Sequence, residues 1–107
     1  MRVLIVDDEK LARDRLRELL NDIGGYVTVG EAMNGAEAVE KAAELNPDVL
    51  LMDIRMPGMD GLEAAMHLMG MENPPAVIFT TAYDQHALDA FDVNAVDYLL
   101  KPIRKDR

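Results

Sequence analysis

Apolar residues follow two rhythms along this chain. Val3-Leu4-Ile5-Val6, Val49-Leu50-Leu51-Met52 and Ala76-Val77-Ile78-Phe79-Thr80 are short continuous runs that include β-branched residues. Runs of this length suit strands covered on both faces, as in a parallel sheet. Tyr98-Leu99-Leu100 is a shorter run of the same kind. Residues 26–31 alternate and carry polar groups, which predicts an edge strand. The second rhythm is helical. Ala12, Leu16, Leu19, Leu20 and Ile23 fall at i, i+4, i+7, i+8 and i+11, and Ala36, Val39, Ala42 and Ala43 follow the same rule. So do Leu62, Ala65, Met66 and Met69. Around residues 86–92 the pattern weakens, with Ala87, Ala90 and Phe91 as its inward face.

Breakers agree with this division. Gly24-Gly25 ends the first helix, Asn34 caps the second, and Asn46-Pro47 stops it. The order is β-α-β-α-β-α-β-α-β. Strands alternating with helices make βαβ units, hence an α/β fold with one parallel sheet and helices on both faces. Open sheets of this kind bind ligands beyond the carboxyl ends of their strands, where strand order reverses. By analogy with doubly wound, flavodoxin-like sheets of five strands in order 2-1-3-4-5, that point lies between the first and third strands.

At 107 residues the chain is one domain with a single core, and with half its residues hydrophobic it folds rather than staying disordered. Eleven basic against twenty acidic residues give a formal charge of −9. So acidic a domain repels a phosphate backbone; if it regulates a gene, another domain touches the DNA. There are no cysteines, which removes disulfides, thiolate metal sites and thiol catalysis. No apolar run approaches the length of a membrane span or a signal-peptide core, so the cytoplasm is the expected compartment.

Chemistry gathers where the runs end. Asp7-Asp8, Asp53, Thr81 and Lys101 each come at or just past the end of an apolar run, so parallel strands would bring them to one edge of the sheet. Each alone has an ordinary reading. Acids after a first strand often cap the next helix, Asp53 opens a strand-to-helix loop, Lys101 precedes a helix-starting proline, and threonines commonly end strands. Thr80 is a decoy for Thr81, because alternation sends the two to opposite faces.

Together the formal charges make the argument. Three carboxylates carry −3, while Lys101 and one divalent cation carry +3, so the loaded site is neutral. Without the cation, adjacent carboxylates repel. Mg²⁺ prefers six oxygen ligands, and Asp8, Asp53, a loop carbonyl and a phosphoryl oxygen suit it. Such a group fits phosphoryl transfer to a carboxylate, with Asp53 held by a stiff loop. In that loop Pro57-Gly58 reads as a tight turn with Gly58 at positive φ, and Gly61 as a further turn residue. Pro102 is a candidate cis-proline fixing Lys101. His67 and His86 lack a second ligand at metal spacing. Met66, Met69 and Met71 read as core gap fillers, and Arg104, Lys105 and Arg107 as a helix start.

At these residues the chain resembles the receiver domains of two-component response regulators, over its full length. The resemblance rests on Val6-Asp7-Asp8-Glu9, Asp53 with Met56-Pro57-Gly58-Met59-Asp60-Gly61, Thr81-Ala82, and Tyr98-Leu99-Leu100-Lys101-Pro102. It implies that Asp53 is the phosphoacceptor, attacking a phosphohistidine on a sensor histidine kinase. It implies Asp8 as the main carboxylate ligand of Mg²⁺, Asp7 helping directly or through water, and Arg55 supplying its backbone carbonyl. Lys101 would contact the phosphoryl group, Thr81 reorient to bond it, and Tyr98 turn inward into the space released. Such a domain is not an enzyme; it assists only its own phosphorylation and dephosphorylation. A finer likeness, in residues 81–91 and 93–103, is to receivers joined to LytTR DNA-binding domains. DNA contact and transcriptional output would then belong to that output domain.

Other readings share parts of this pattern. A stand-alone, chemotaxis-like receiver acting through protein contacts would carry the same site. An Mg²⁺-dependent phosphatase with an Asp nucleophile usually has Asp-x-Asp, and Asp53-Ile54-Arg55 lacks the second acid. A flavodoxin-like FMN binder cradles phosphate with hydroxyls and amides, whereas Asp7-Asp8-Glu9 repels it. Receivers normally close with a fifth helix, and Ile103-Arg104-Lys105-Asp106-Arg107 is barely one turn. The expectation is a receiver over residues 1–107, ending near the start of its last helix. A strip left bare beside Leu16 and Leu20 predicts a homodimer or exchange of elements between copies, unless further residues cover it.

Overall fold

Strand and helix alternate as the two rhythms predict. The computed structural model describes residues 1–81 and 97–100, with side chains through residue 80. Within them run β1 (Arg2–Val6), α1 (Lys10–Ile23), β2 (Val27–Ala32), α2 (Gly35–Leu45), β3 (Val49–Asp53), α3 (Gly61–Met69), β4 (Ala76–Thr81) and β5 (Asp97–Leu100). The helix expected around 86–92, and everything expected past Leu100, lie outside the described residues.

The strands form one sheet in the order β2-β1-β3-β4-β5, every pair parallel, which is the expected 2-1-3-4-5. Strand order therefore reverses between β1 and β3. Alternation along each strand divides the core in two. Leu4, Val6, Leu50, Met52, Val77 and Phe79 face α2 and α3, meeting Ala38, Ala42, Leu62, Ala65 and Leu68. Val3, Ile5, Val49 and Leu51 face Leu16 and Leu20 of α1, with Ala76 and Ile78 partly buried beside them. Strands buried on both faces explain the continuous runs, and each fully buried Val, Leu or Ile contributes about 1.5–3 kcal/mol. By contrast β2, at the edge, is mostly exposed or half-buried, as its alternation implies.

In two helices the inward face is only partly the one expected: Ala42, Leu62 and Ala65 are buried and Val39 packs on the core, but their neighbours differ. In α2 the buried residues are Gly35, Ala38 and Ala42, while Ala36 and Ala43 face water. In α3 they are Gly61, Leu62, Ala64, Ala65 and Leu68, while Met66 and Met69 are 65% and 40% exposed. Both inward faces begin at a glycine, which carries no hydrophobic signal, so the apolar count favoured the wrong neighbour. Of the methionines read as gap fillers in this region, Met71 alone packs against the core.

The ends behave as the sequence implies. Gly24, at φ 81°, closes α1 with its N–H on the Leu20 carbonyl. The Asn34 side chain accepts the Glu37 N–H at 2.8 Å, and Asn46, left-handed at φ 49°, ends α2. Asp60 caps α3 in the same manner, accepting the Glu63 N–H at 2.9 Å.

Candidate functional site

β1 and β3 lie side by side with Val6 opposite Met52, so Asp7 and Asp53 come at adjacent strand ends. The Asp7 N–H donates to the Ala32 carbonyl at 3.0 Å, tying the loop to β2. Its side chain is fully buried, and Oδ1 accepts the Glu9 N–H at 3.0 Å, which turns the chain into α1. Asp8 does not cap that helix. Glu9 occupies the N-cap position and Asp8 stays exposed. Asp53 closes β3 at 7% exposure.

One carboxylate oxygen from each of Asp7, Asp8 and Asp53 lies within 4.8 Å of the other two. Three like charges at that spacing repel strongly, and a cation between them removes the conflict. The donor set is all oxygen and anionic, which fits a hard divalent cation. The burial gradient gives the site a direction: Asp7 is sealed in the protein, Asp53 nearly so, and Asp8 opens to solvent.

The loop after Asp53 is held at several points. Ile54 and Met56 are buried in the core, while Arg55 between them is exposed. The Gly61 N–H donates to the Ile54 carbonyl at 2.8 Å, and the Gly35 N–H donates to the Met59 carbonyl at 3.0 Å. Gly58 has φ 75°, the conformation expected of the turn at Pro57-Gly58. Gly61, expected as a turn residue, instead begins α3. What requires glycine there is space: a β-carbon would collide with the Asp53 carbonyl and lie 2.9 Å from the Ile54 Cα.

Thr81 ends β4 opposite Leu100, and Tyr98 pairs with Phe79, so β4 and β5 end on the same sheet edge as β1 and β3. The side chains of Thr81 and Tyr98, together with Lys101 and Pro102, lie outside the described residues. Thr80 pairs in register with Asp53 and is fully buried, and its hydroxyl has no partner among the described residues. A residue the sequence reading missed is Arg13, whose guanidinium donates to the Asp7 carbonyl at 2.8 Å. An arginine on an amphipathic helix carries no signal of pointing inward. At the opposite edge of the sheet a cavity of about 490 Å³ is lined by Asn46, Pro47, Asp48, Met71 and Pro74, away from the acids.

The family model of the response regulator receiver domain matches residues 3–107. The chain belongs to that family. It is 55% identical over 107 residues to the positive alginate biosynthesis regulatory protein of Pseudomonas aeruginosa, covering 99% of this chain and 43% of that protein. It is 46% identical to the sensory transduction protein LytT of Bacillus subtilis, covering all of this chain and 44% of LytT. The receiver therefore spans less than half the length of these relatives. Among solved structures, the CheX–CheY–BeF3–Mg²⁺ complex of Borrelia burgdorferi matches with a TM-score of 0.87 at 29% identity, covering 99% of this chain and 81% of that one. Family and fold are thus those expected from the sequence. Among the described residues, no helix is long and apolar enough to cross a membrane.

Proposed function

We propose that this receiver accepts a phosphoryl group on Asp53 from a sensor histidine kinase, with Mg²⁺ held by Asp7, Asp8 and Asp53. The observation that carries the reading is the convergence of those three carboxylates within 4.8 Å at the strand-order reversal. An Asp53 oxygen attacks the phosphorus; an O–P bond forms as the P–N bond of the phosphohistidine breaks, and its electron pair returns to the imidazole nitrogen. Bound Mg²⁺ neutralises charge on the phosphoryl oxygens and on the acids. Asp8, exposed, would hold the cation from the solvent side, and the buried Asp7 would help directly or through water. The Arg55 carbonyl would complete this shell whatever its side chain does; the Ile54 carbonyl beside it is held by the Gly61 N–H. Lys101 contacts the phosphoryl group and Thr81 bonds it, with Tyr98 following inward. Water later attacks the acyl phosphate and restores Asp53, so the domain is a phosphoacceptor and not a turnover enzyme.

Support for Mg²⁺ comes from the oxygen donor set and from the similar CheX–CheY–BeF3–Mg²⁺ complex. Support for a LytTR-type DNA-binding output comes from the likeness of residues 81–91 and 93–103 and from LytT among the relatives. Binding of DNA through that domain, association of two copies, and a cytoplasmic location belong to the same reading. Incubation with Mg²⁺ and a small acyl phosphate, followed by intact mass, tests it. One acid-labile phosphoryl group is expected on the wild type and none on Asp53→Asn. Undiminished labelling of that variant would place the acceptor elsewhere.

A further inference from the structure

Behind Asp7 sits a basic side chain that phosphoryl acceptance does not itself require. Arg13 lies on α1 with its side chain 12% exposed. Its Nη1 donates to the Asp7 backbone carbonyl at 2.8 Å, and its Nε donates to Glu31 Oε1 at 3.0 Å. Glu31, near the end of β2, also receives Arg17, whose other nitrogen holds Asp14 at 2.7 Å. Lys41 of α2 donates to the Glu31 carbonyl. Three elements therefore meet at Glu31, and Arg13 ties that junction to the residue bearing the first acid.

Two effects of opposite sign follow. A positive charge near three acids competes with a metal ion and weakens its binding. A planar fork that fixes the Asp7 backbone orients its carboxylate, and partners one layer behind metal ligands are typically worth 10- to 100-fold in affinity. The second effect dominates here. The guanidinium reaches the Asp7 carbonyl, and the Glu31 carboxylate, which Arg17 shares, offsets part of its charge.

We propose that Arg13 is a positioning residue for the cation site: by bridging Asp7 to Glu31 it holds the Asp7 carboxylate ready for a divalent cation. This rests on the reading of Asp7, Asp8 and Asp53 as that site. Titration with Mg²⁺ alone, followed by calorimetry, on wild type, Arg13→Met, Arg13→Lys and Asp8→Asn tests both. Arg13→Met is expected to bind Mg²⁺ about tenfold more weakly. Arg13→Lys is expected not to restore binding, because one ammonium lacks the fork that spans both acceptors. Saturating Mg²⁺ returns labelling of Arg13→Met to the wild-type extent. A lower metal-free melting temperature with unchanged Mg²⁺ affinity would reduce Arg13 to a structural role and overturn the proposal. Tighter binding in Arg13→Met would overturn it too, by showing that charge governs. If Arg13→Met does not fold, Glu31→Ala decides: it removes the acceptor of the Arg13 Nε–H, and unchanged Mg²⁺ affinity there refutes the bridge. Equal Mg²⁺ affinity in wild type and Asp8→Asn identifies failure of the underlying site and removes both.

Discussion

Gly61 begins α3 against the backbone of Asp53, with no room between them for a β-carbon. Its N–H donates to the Ile54 carbonyl at 2.8 Å, so the acid's strand end and the helix start form one rigid unit. A nucleophile gains from such fixing, because small misplacements are costly in rate.

Gly61→Ala should therefore lower stability by about 1–3 kcal/mol through forced backbone movement, despite alanine's better helix propensity. Labelling of Asp53 should slow as well, since the displacement falls on that residue. Gly30→Ala is the control. The nearest atom there is the end of a flexible side chain, Leu45 Cδ1 at 2.8 Å, so the loss should be smaller and labelling unaffected. Urea denaturation and labelling time courses compare them; equal labelling rates in Gly61→Ala and wild type would separate the glycine from the site.

Mg²⁺ should stabilise the folded domain by RT ln(1+[L]/Kd), about 1.4–2.7 kcal/mol at ten- to hundredfold excess over Kd. Asp8→Asn removes one of three mutually repelling acids. That variant should melt at or above the wild-type temperature without metal and lose most of the Mg²⁺ increment. Thermal melts with and without Mg²⁺ measure this directly. An equal increment in both proteins would exclude Asp8 as a ligand.

Much of this was legible before any coordinates. Continuous runs gave β1, β3 and β4 because strands buried on both faces have no polar side to reveal. The acids stood out because each followed such a run. What stayed hidden has a common cause: side chains whose role is set by a neighbour remote in sequence. Gly35 and Gly61 are inward positions defined by the closeness of residues 53–60, and a hydrophobic count cannot see them. Arg13 points to Asp7 and Glu31 because α1 crosses that seam, which helical periodicity does not report. Met66 and Met69 were misplaced for the same reason, once α3 had turned its small residues inward.

On the outer side of α1, a hydrogen bond from Lys10, joined by Arg17, holds the Asp14 carboxyl below its usual range. A carboxyl depressed in the folded state contributes stability that is present above its ordinary pKa and is lost as pH falls through the folded value. The stability difference between wild type and Asp14→Asn should thus be constant from about pH 6 to 8 and shrink below about pH 4. High salt should reduce it at neutral pH, as for any exposed pair. Urea midpoints at several pH values and salt concentrations give the comparison. A difference that grew on acidification would reverse the assigned sign.

Thr80 and Thr81 are adjacent in β4, and of the two only Thr81 belongs to the proposed switch with Tyr98. Thr80 is buried, and its hydroxyl has no partner among the described residues; a buried hydroxyl left without one costs about 1–3 kcal/mol of desolvation. Thr80→Val keeps the shape and removes the unsatisfied group. It should raise stability by about 1 kcal/mol and leave labelling of Asp53 unchanged, even though the two residues are register partners. Thr81→Ala should instead permit labelling while breaking its link to the response, because the hydroxyl that would follow the phosphoryl group is gone. Backbone and tyrosine resonances recorded with and without phosphorylation distinguish the pair. Phosphorylation-dependent shifts should persist in Thr80→Val and collapse in Thr81→Ala. The opposite outcome would transfer the relay to the buried threonine.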